Sequence, residues 1–187
     1  SNINSNFKIN LRTGKVNPYN KLNLNWDINL IDTGLNTMTG GRLKRISRFI
    51  KSENFILTYG DGLANIDINA LIKFHKKHKK LITVTAVKPI ARFGSMKISK
   101  DQVISFKEKS SISDNWINGG FFVINKKFLK YIKNDQTILE SEPLECATKD
   151  GHLMAYKHIG FWQCMDNIRD HIVLENMFNE QNCPWIK

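Results

Sequence analysis

The chain has 187 residues, 41% hydrophobic and 10% aromatic, which is enough for one domain with a sizeable core and excludes a disordered chain. No apolar run approaches the ~20 residues needed to cross a bilayer, and residues 1–10 are polar, without the apolar stretch of a secretory signal. The formal net charge of +11 admits nucleic acid, a membrane surface or small anionic substrates as partners.

Phe7 to Leu11 alternates with period two and meets the turn signal Thr13-Gly14, which predicts a hairpin strand. Trp26, Ile28, Leu30 and Ile31 predict a second strand, ending at Asp32-Thr33-Gly34. Over residues 41–50, Leu43, Ile46, Phe49 and Ile50 recur at helical spacing. Phe55 to Tyr59 is a continuous apolar run of the kind expected in a strand buried on both faces, and it stops at Gly60-Asp61-Gly62. Asp67 caps a predicted helix holding Ile68, Leu71, Ile72 and His75, and a lysine block closes its C-terminal end. Leu81 to Val87 reads as another buried strand, so residues 55–87 predict a βαβ unit. Beyond Pro89 the pattern turns antiparallel, with a hairpin over residues 93–98 and 103–107. Trp116 to Ile124 is a longer strand interrupted by Gly119-Gly120. Short helices around Phe128–Ile132 and Pro143–Ala147 follow, then a strand at residues 153–156. A final helix runs through Ile168, Ile172, Val173 and Met177, capped near Asp166 or Asn167. The class is α/β with an appended antiparallel region.

The charge resides in 22 lysines and only six arginines. Base reading and bidentate phosphate clamping rest on the arginine fork. The densest block, Lys73, Lys76, Lys77, Lys79 and Lys80, reads as the solvated face of one helix, so no nucleic-acid partner is expected. Cys146, Cys164 and Cys183 lie 18 and 19 residues apart. That spacing favours neither a disulfide framework nor a zinc site, and a reducing, cytoplasmic setting is expected.

Four segments carry chemistry. Asp61 stands between two glycines at the C-terminal end of a buried strand, where open α/β sheets bind ligands. Glycine lets backbone approach a phosphate, and an exposed carboxylate there can hold Mg²⁺; an ordinary Asp-Gly turn accounts for the same residues. Asp166 follows the aromatic segment Gly160 to Met165 and precedes a helix, as a helix cap or a second metal carboxylate. Two carboxylates from distant parts of the chain suit one divalent metal. Thr37 to Arg45 joins a glycine turn, a helix N-terminus and three cations, the makings of a phosphate site or of a capped surface helix. Glu108 and Lys109 precede Trp116-Ile117-Asn118-Gly119-Gly120. Lys109 can face a phosphate, Glu108 and Asn118 can hydrogen-bond sugar hydroxyls, and the paired glycines leave room for a sugar ring; a strand with a bulge is the alternative. His75 and His78 have no acidic partner on their helix, and His152, His158 and His171 have no metal spacing, so no histidine is given a catalytic role.

These segments keep the order and spacing of one family. Thr37 to Arg45, Thr58 to Gly62, Arg92-Phe93-Gly94, Phe106 to Lys109, Ile117 to Phe122, Glu142-Pro143-Leu144, Phe161 to Asp166 with Arg169-Asp170, and Pro184-Trp185 resemble the glucose-1-phosphate cytidylyltransferases, one of the sugar-phosphate nucleotidyltransferases. The similarity runs from residue 7 to Trp185. It implies a Rossmann-like fold with a mixed sheet in a single domain over residues 1–187. The implied reaction joins CTP and α-D-glucose 1-phosphate to give CDP-glucose and pyrophosphate, a product class that feeds bacterial surface polysaccharide. On this resemblance Asp61 and Asp166 bind Mg²⁺. Thr37, Arg42 and Gly60 match positions that contact the nucleotide. Lys109 would bind the sugar phosphate, and Glu108, Asn118 and Gly119 the glucose; Asp61, Asp166 and Lys109 form the implied catalytic set.

One departure stands out. The family begins with a strand and a Gly-rich loop of the type G-G-x-G-T-R-L, then a phosphate-engaging lysine, and nothing like it precedes Asn36. The resemblance therefore implies an N-terminally incomplete domain, weakly active or inactive by itself. An apolar sheet edge left open by missing strands predicts a homo-oligomer. A uridylyl- or thymidylyltransferase and a non-catalytic sugar-phosphate-binding module are the competing expectations.

Overall fold

The computed structural model describes residues 7–18, 27–89, 94–108 and 115–186. It divides into two units, Ser1–Asp32 and Thr33–Lys187. In the first unit, β1 (Phe7–Asn10) pairs antiparallel with β2 (Lys15–Pro18). The turn is set by Asn10, whose Oδ1 accepts the N–H groups of Arg12 at 3.0 Å and Thr13 at 3.2 Å, and by Gly14 at φ +67°. The expected second strand does not form: residues 27–34 hold no strand, and Trp26 lies outside the described residues. Ile28 and Leu30 are strongly exposed. Apolar alternation makes a strand only where a neighbouring strand takes the backbone and a core takes the side chains.

In the second unit the elements are α1 (Thr39–Ile46), β3 (Asn54–Thr58), β4 (Gly62–Ala64), α2 (Ile68–His78), β5 (Ile82–Val87), β6 (Ser95–Ser99), β7 (Gln102–Lys107), β8 (Ile117–Asn125), α3 (Glu142–Lys149), β9 (Leu153–His158), β10 (Trp162–Cys164) and α4 (Ile168–Asn179). Short 3-10 turns follow α1 at Ser47–Phe49 and β8 at Lys126–Tyr131. The principal sheet has the order β3-β8-β5-β9, with β8 antiparallel to both β3 and β5 and β9 parallel to β5. It is an α/β fold with a mixed sheet.

The expected βαβ unit is present with one change. β3 and β5 run the same way with α2 between them in sequence, but β8 separates them in the sheet. β3 is therefore an edge strand among the described strands, and Ile56 is 40% exposed where burial on both faces was expected. β5 is buried along nearly its whole length.

β8 organises both layers. Its Phe122 and Ile124 pack with Leu43, Ile82, Phe128, Ile132, Leu139 and Ala147. Val123, pointing the other way, packs with Ile66 and Leu71 of the α2 side. Each such side chain contributes roughly 1.5–3 kcal/mol on burial. α2 begins where Asp67 Oδ1 accepts the Ala70 N–H at 2.9 Å and ends at Lys79 in the left-handed region, φ 56°. No helix among the described residues is long and apolar enough to cross a membrane.

Candidate active site

One end of the sheet gathers Gly60, Asp61, Asn118, Gly119 and Asp166. The register sets Thr58 opposite Phe121, and sets Val87 opposite both Ile117 and His158. The C-terminal ends of β3, β5 and β9 thus meet the start of β8, the end at which open α/β sheets hold ligands. Past this end β3 continues through Tyr59-Gly60-Asp61 into β4, and β9 through Ile159-Gly160-Phe161 into β10. The strands β4 and β10 pair antiparallel, with Gly62 opposite Cys164. The Met165 N–H then donates to the Asp61 carbonyl at 2.9 Å. A three-residue ladder therefore brings the backbone of Asp61, just before β4, beside that of Asp166, just after β10. Trp162 ties the ladder to the sheet, its Nε1–H donating to the Gly119 carbonyl at 2.8 Å.

Both aspartates are exposed. The Asp166 backbone N–H donates to Asp170 Oδ2 at 3.3 Å, and the Cys164 thiol donates to Asp166 Oδ2 at 3.1 Å. Asp170 is buried in the first turn of α4 and also accepts from Gln163 Nε2 at 3.3 Å. Ligand atoms of Cys164, Asp166 and Asp170 lie within 4.8 Å of one another. A depression of about 270 Å³ beside them is lined by Met165, Asp166, Asn167, Ile168 and His171. Asp61 is not part of that cluster; its carboxylate and that of Asp166 offer the oxygen donors that a hard cation such as Mg²⁺ takes, whereas the thiol of Cys164 does not. Asn167, rather than Asp166, caps α4: its Oδ1 accepts the Asp170 N–H at 3.0 Å.

The sugar-side candidates sit where β8 is irregular. The register against β5 shifts between Val84 and Ala86, opposite the glycine pair. Gly120 has φ +77°, and a Cβ there would lie 2.7 Å from the Tyr59 ring; a Cβ on buried Gly119 would lie 2.7 Å from Val87. Asn118 is exposed, its Oδ1 accepting the Gly120 N–H at 2.9 Å and its Nδ2 donating to the Tyr59 hydroxyl at 3.0 Å. Tyr59 in turn donates to Glu140 Oε1 at 2.6 Å, and Thr39 donates to Glu140 Oε2 at 2.8 Å. Burial, followed by the Glu140 hydrogen bond, pushes the Tyr59 phenol well above its ordinary range. Tyr59 lies in the Thr58–Gly62 segment but has no role assigned from the sequence, and neither has Glu140; they lie 81 positions apart, and no short motif joins them.

The α1 N-terminus differs from the expected phosphate cradle. The N–H of Met38 donates to the Asp135 carbonyl at 2.8 Å, and those of Gly40 and Gly41 to the Thr137 carbonyl at 3.0 and 3.3 Å. A Cβ on Gly41 would lie 2.4 Å from Asp135 O. These glycines admit the loop at residues 135–139, which takes the donors a phosphate would need. Thr37 is buried. The three cations are also engaged. Arg42 donates to Thr33 Oγ1 at 2.6 Å and the Leu35 carbonyl at 3.1 Å. Lys44 donates to the carbonyls of Ile132 and Lys133. Arg45 forms a bidentate pair with Asp135 at 2.9 and 2.6 Å. Gly60 lies in open space, with nothing within 4 Å of a Cβ built on it. Glu108 is exposed just after β7, whereas Lys109, Arg92 and Phe93 lie outside the described residues.

The mixed sheet, with its helices and the β4–β10 ladder beyond its C-terminal end, defines an α/β domain, and comparison with known proteins gives its family. The nucleotidyl transferase family model matches residues 19–167, and the chain belongs to that family. It is 48% identical over 161 residues to glucose-1-phosphate cytidylyltransferase from Salmonella typhi, covering 86% of this chain and 63% of that protein. It is 39% identical, with the same coverage, to the probable glucose-1-phosphate cytidylyltransferase of Bacillus subtilis. The chain thus spans 63% of the length of these curated relatives. Among solved structures, HddC from Yersinia pseudotuberculosis superposes with a TM-score of 0.64 at 23% identity, over 83% of this chain and 68% of that one, which establishes the shared fold.

Proposed function

We propose that the protein transfers a cytidylyl group from CTP to α-D-glucose 1-phosphate, giving CDP-glucose and pyrophosphate. The observation that carries this is the β4–β10 ladder, which joins Asp61 to the segment of Asp166 at the ligand-binding end of the sheet. The 48% identity to the Salmonella typhi cytidylyltransferase supports the choice of substrates.

In this reading a phosphate oxygen of glucose 1-phosphate attacks the α-phosphorus of CTP in line. The bond from that phosphorus to the bridging oxygen breaks, and pyrophosphate leaves with the electron pair. The protein's part is positioning and charge neutralisation. Asp61 and Asp166 hold Mg²⁺, which when bound supplies positive charge against the crowded phosphates. Thr37, Arg42 and Gly60 serve the nucleotide side. Arg42 acts there through the loop at residues 33–35 that it holds, and Gly60 by leaving its backbone open to a ligand. Lys109 meets the sugar phosphate, and Glu108 and Asn118 the glucose hydroxyls. Gly119 contributes by having no side chain. A cytoplasmic setting and a role in supplying surface-polysaccharide precursors, including O-antigen, go with this reading. Ile98, Ile104 and Phe106 are exposed on the β6–β7 hairpin, and such apolar exposure supports a homo-oligomer, to be checked by light scattering.

The test is calorimetric titration of the chain with CDP-glucose, with and without Mg²⁺, using UDP-glucose and dTDP-glucose as comparators. Metal-dependent binding that favours the cytidine sugar is expected. Tighter binding of another nucleotide sugar would move the assignment to that base. Absence of metal-dependent binding for all three would sink it.

A further inference from the structure

We infer that Glu140 is a positioning residue that acts through the Tyr59 hydroxyl to fix the side-chain amide of Asn118. The inference rests on the reading of Asn118 as a sugar-side residue only for its consequence in binding; the linkage itself stands on geometry.

Three hydrogen bonds run in one direction, and their order is forced by chemistry. An ionised carboxylate accepts only, so the Tyr59 proton points at Glu140 Oε1, 2.6 Å away. The phenol oxygen is then an acceptor, and it takes an Nδ2–H of Asn118 at 3.0 Å. The other end of the same amide is fixed independently. The backbone N–H of Gly120 can only donate, so the atom it meets at 2.9 Å must be Asn118 Oδ1. With both ends of the amide assigned, its second N–H is a donor of fixed direction on an exposed residue. It suits an acceptor oxygen such as a sugar hydroxyl.

Glu140 is itself held. Its Oε2 accepts from the Thr39 hydroxyl at 2.8 Å, and that hydroxyl accepts the Leu139 N–H at 2.9 Å. Thr39 opens α1, the helix that carries Arg42. One carboxylate therefore bridges the helix assigned to the nucleotide side and the strand assigned to the sugar side. Without Glu140 the Tyr59 proton loses its fixed acceptor, and the lone pair of the phenol oxygen is no longer held toward the Asn118 amide.

The experiment uses the full 187-residue chain with two readouts. The first needs no ligand: the side-chain amide protons of Asn118 are followed by ¹⁵N-resolved NMR in the wild type and in Tyr59→Phe, Glu140→Ala and Glu140→Gln. Tyr59→Phe keeps the ring contact with Phe122, so it tests the hydroxyl without removing the ring. Slow exchange of one Asn118 amide proton is expected in the wild type. It should be lost in Tyr59→Phe and Glu140→Ala and largely restored in Glu140→Gln, whose side-chain oxygen can still accept from Tyr59. The second readout compares calorimetric affinities for CDP-glucose and CDP in the presence of Mg²⁺. Tyr59→Phe, which leaves the bond from Thr39 to Glu140 in place, should weaken CDP-glucose about fivefold, the scale of one hydrogen bond, and leave CDP unchanged. Unaltered Asn118 amide exchange in Glu140→Ala would overturn the inference, as would equal loss of both ligands in Tyr59→Phe. If the amide responds as expected while the wild type binds no CDP-glucose, the linkage stands and the substrate reading is what fails.

Discussion

Two glycine-bearing turns, Thr39-Gly40-Gly41 and Gly60-Asp61-Gly62, look alike in the sequence and differ in space. At the first, the loop at residues 135–139 closes over the helix start and takes the N–H groups of Met38, Gly40 and Gly41. Backbone of Asp135 and Thr137 stands 2.4–2.7 Å from where a Cβ would be. At the second, Gly60 meets nothing within 4 Å, and Asp61 is exposed beside the ladder that carries Asp166. Only at the first does the glycine mark a close approach within the fold. The closed turn has its partner inside the fold and supports stability; the open one has space for a partner from outside.

The largest expected effect tests the closed turn. Gly41→Ala forces its methyl into Asp135 backbone that Arg45 also anchors, and overpacking of this kind costs about 3 kcal/mol. Urea denaturation should show a lower midpoint with unchanged slope, and a midpoint equal to wild type would mean that the loop yields easily. A closed cluster at the other end of the sheet makes the next prediction. His75 is buried, with Nδ1 2.9 Å from Thr83 Oγ1 and Nε2 3.3 Å from Asn54 Oδ1. Burial, then the neighbouring His78, lowers its pKa to about 4 from 6.5. Between these values the unfolded chain binds a proton that the folded chain refuses. The stability contribution is thus complete above pH 6.5 and lost as pH falls toward 4, by about 2–3 kcal/mol. His75→Gln should flatten this part of the stability–pH curve, and an unchanged slope would refute the assignment.

The open turn predicts loss of binding with the fold intact. Asp61→Asn and Asp166→Asn should each weaken Mg²⁺-dependent CDP-glucose binding at least about tenfold. Asp61→Asn should leave the thermal midpoint without metal near that of wild type, since its carboxylate is exposed. Equal affinity with and without Mg²⁺ in the wild type would break the comparison between the two turns.

Much of the fold was legible because local pattern and tertiary partner agree there. Asp67 caps α2 as its position before Ile68 suggests, and the Gly119-Gly120 interruption is a real irregularity of β8. The run at 28–31 misled because alternation says nothing of whether a neighbouring strand exists. β4 and β10 escaped notice because three residues carry no periodicity, yet their pairing gives the relation between Asp61 and Asp166. The link from Glu140 to Tyr59 was illegible for a related reason: its partners are set by the fold, 81 positions apart. The helix start at Thr37 to Arg45 offered two readings, and neither glycine nor cation could choose between them. The choice lay in Asp135 and Thr137, residues that no phosphate motif includes.

The smallest expected effect is the most discriminating, because it separates the two uses of glycine at a single atom. Gly60 has no left-handed φ and no neighbour within 4 Å of a Cβ, so Gly60→Ala should fold as well as wild type. The lost freedom of the unfolded chain should raise stability by about 0.4–1 kcal/mol. If the open space is where a nucleotide lies, the same methyl takes part of it, and CDP-glucose affinity should fall about fivefold, roughly 1 kcal/mol. Stability and affinity then move in opposite directions, which no packing defect produces. Paired measurement of the thermal midpoint and the calorimetric affinity reads both. A variant of unaltered affinity would make Gly60-Asp61-Gly62 an ordinary turn whose glycine serves the chain alone, and the contrast with Gly41 would then be one of crowding rather than of function.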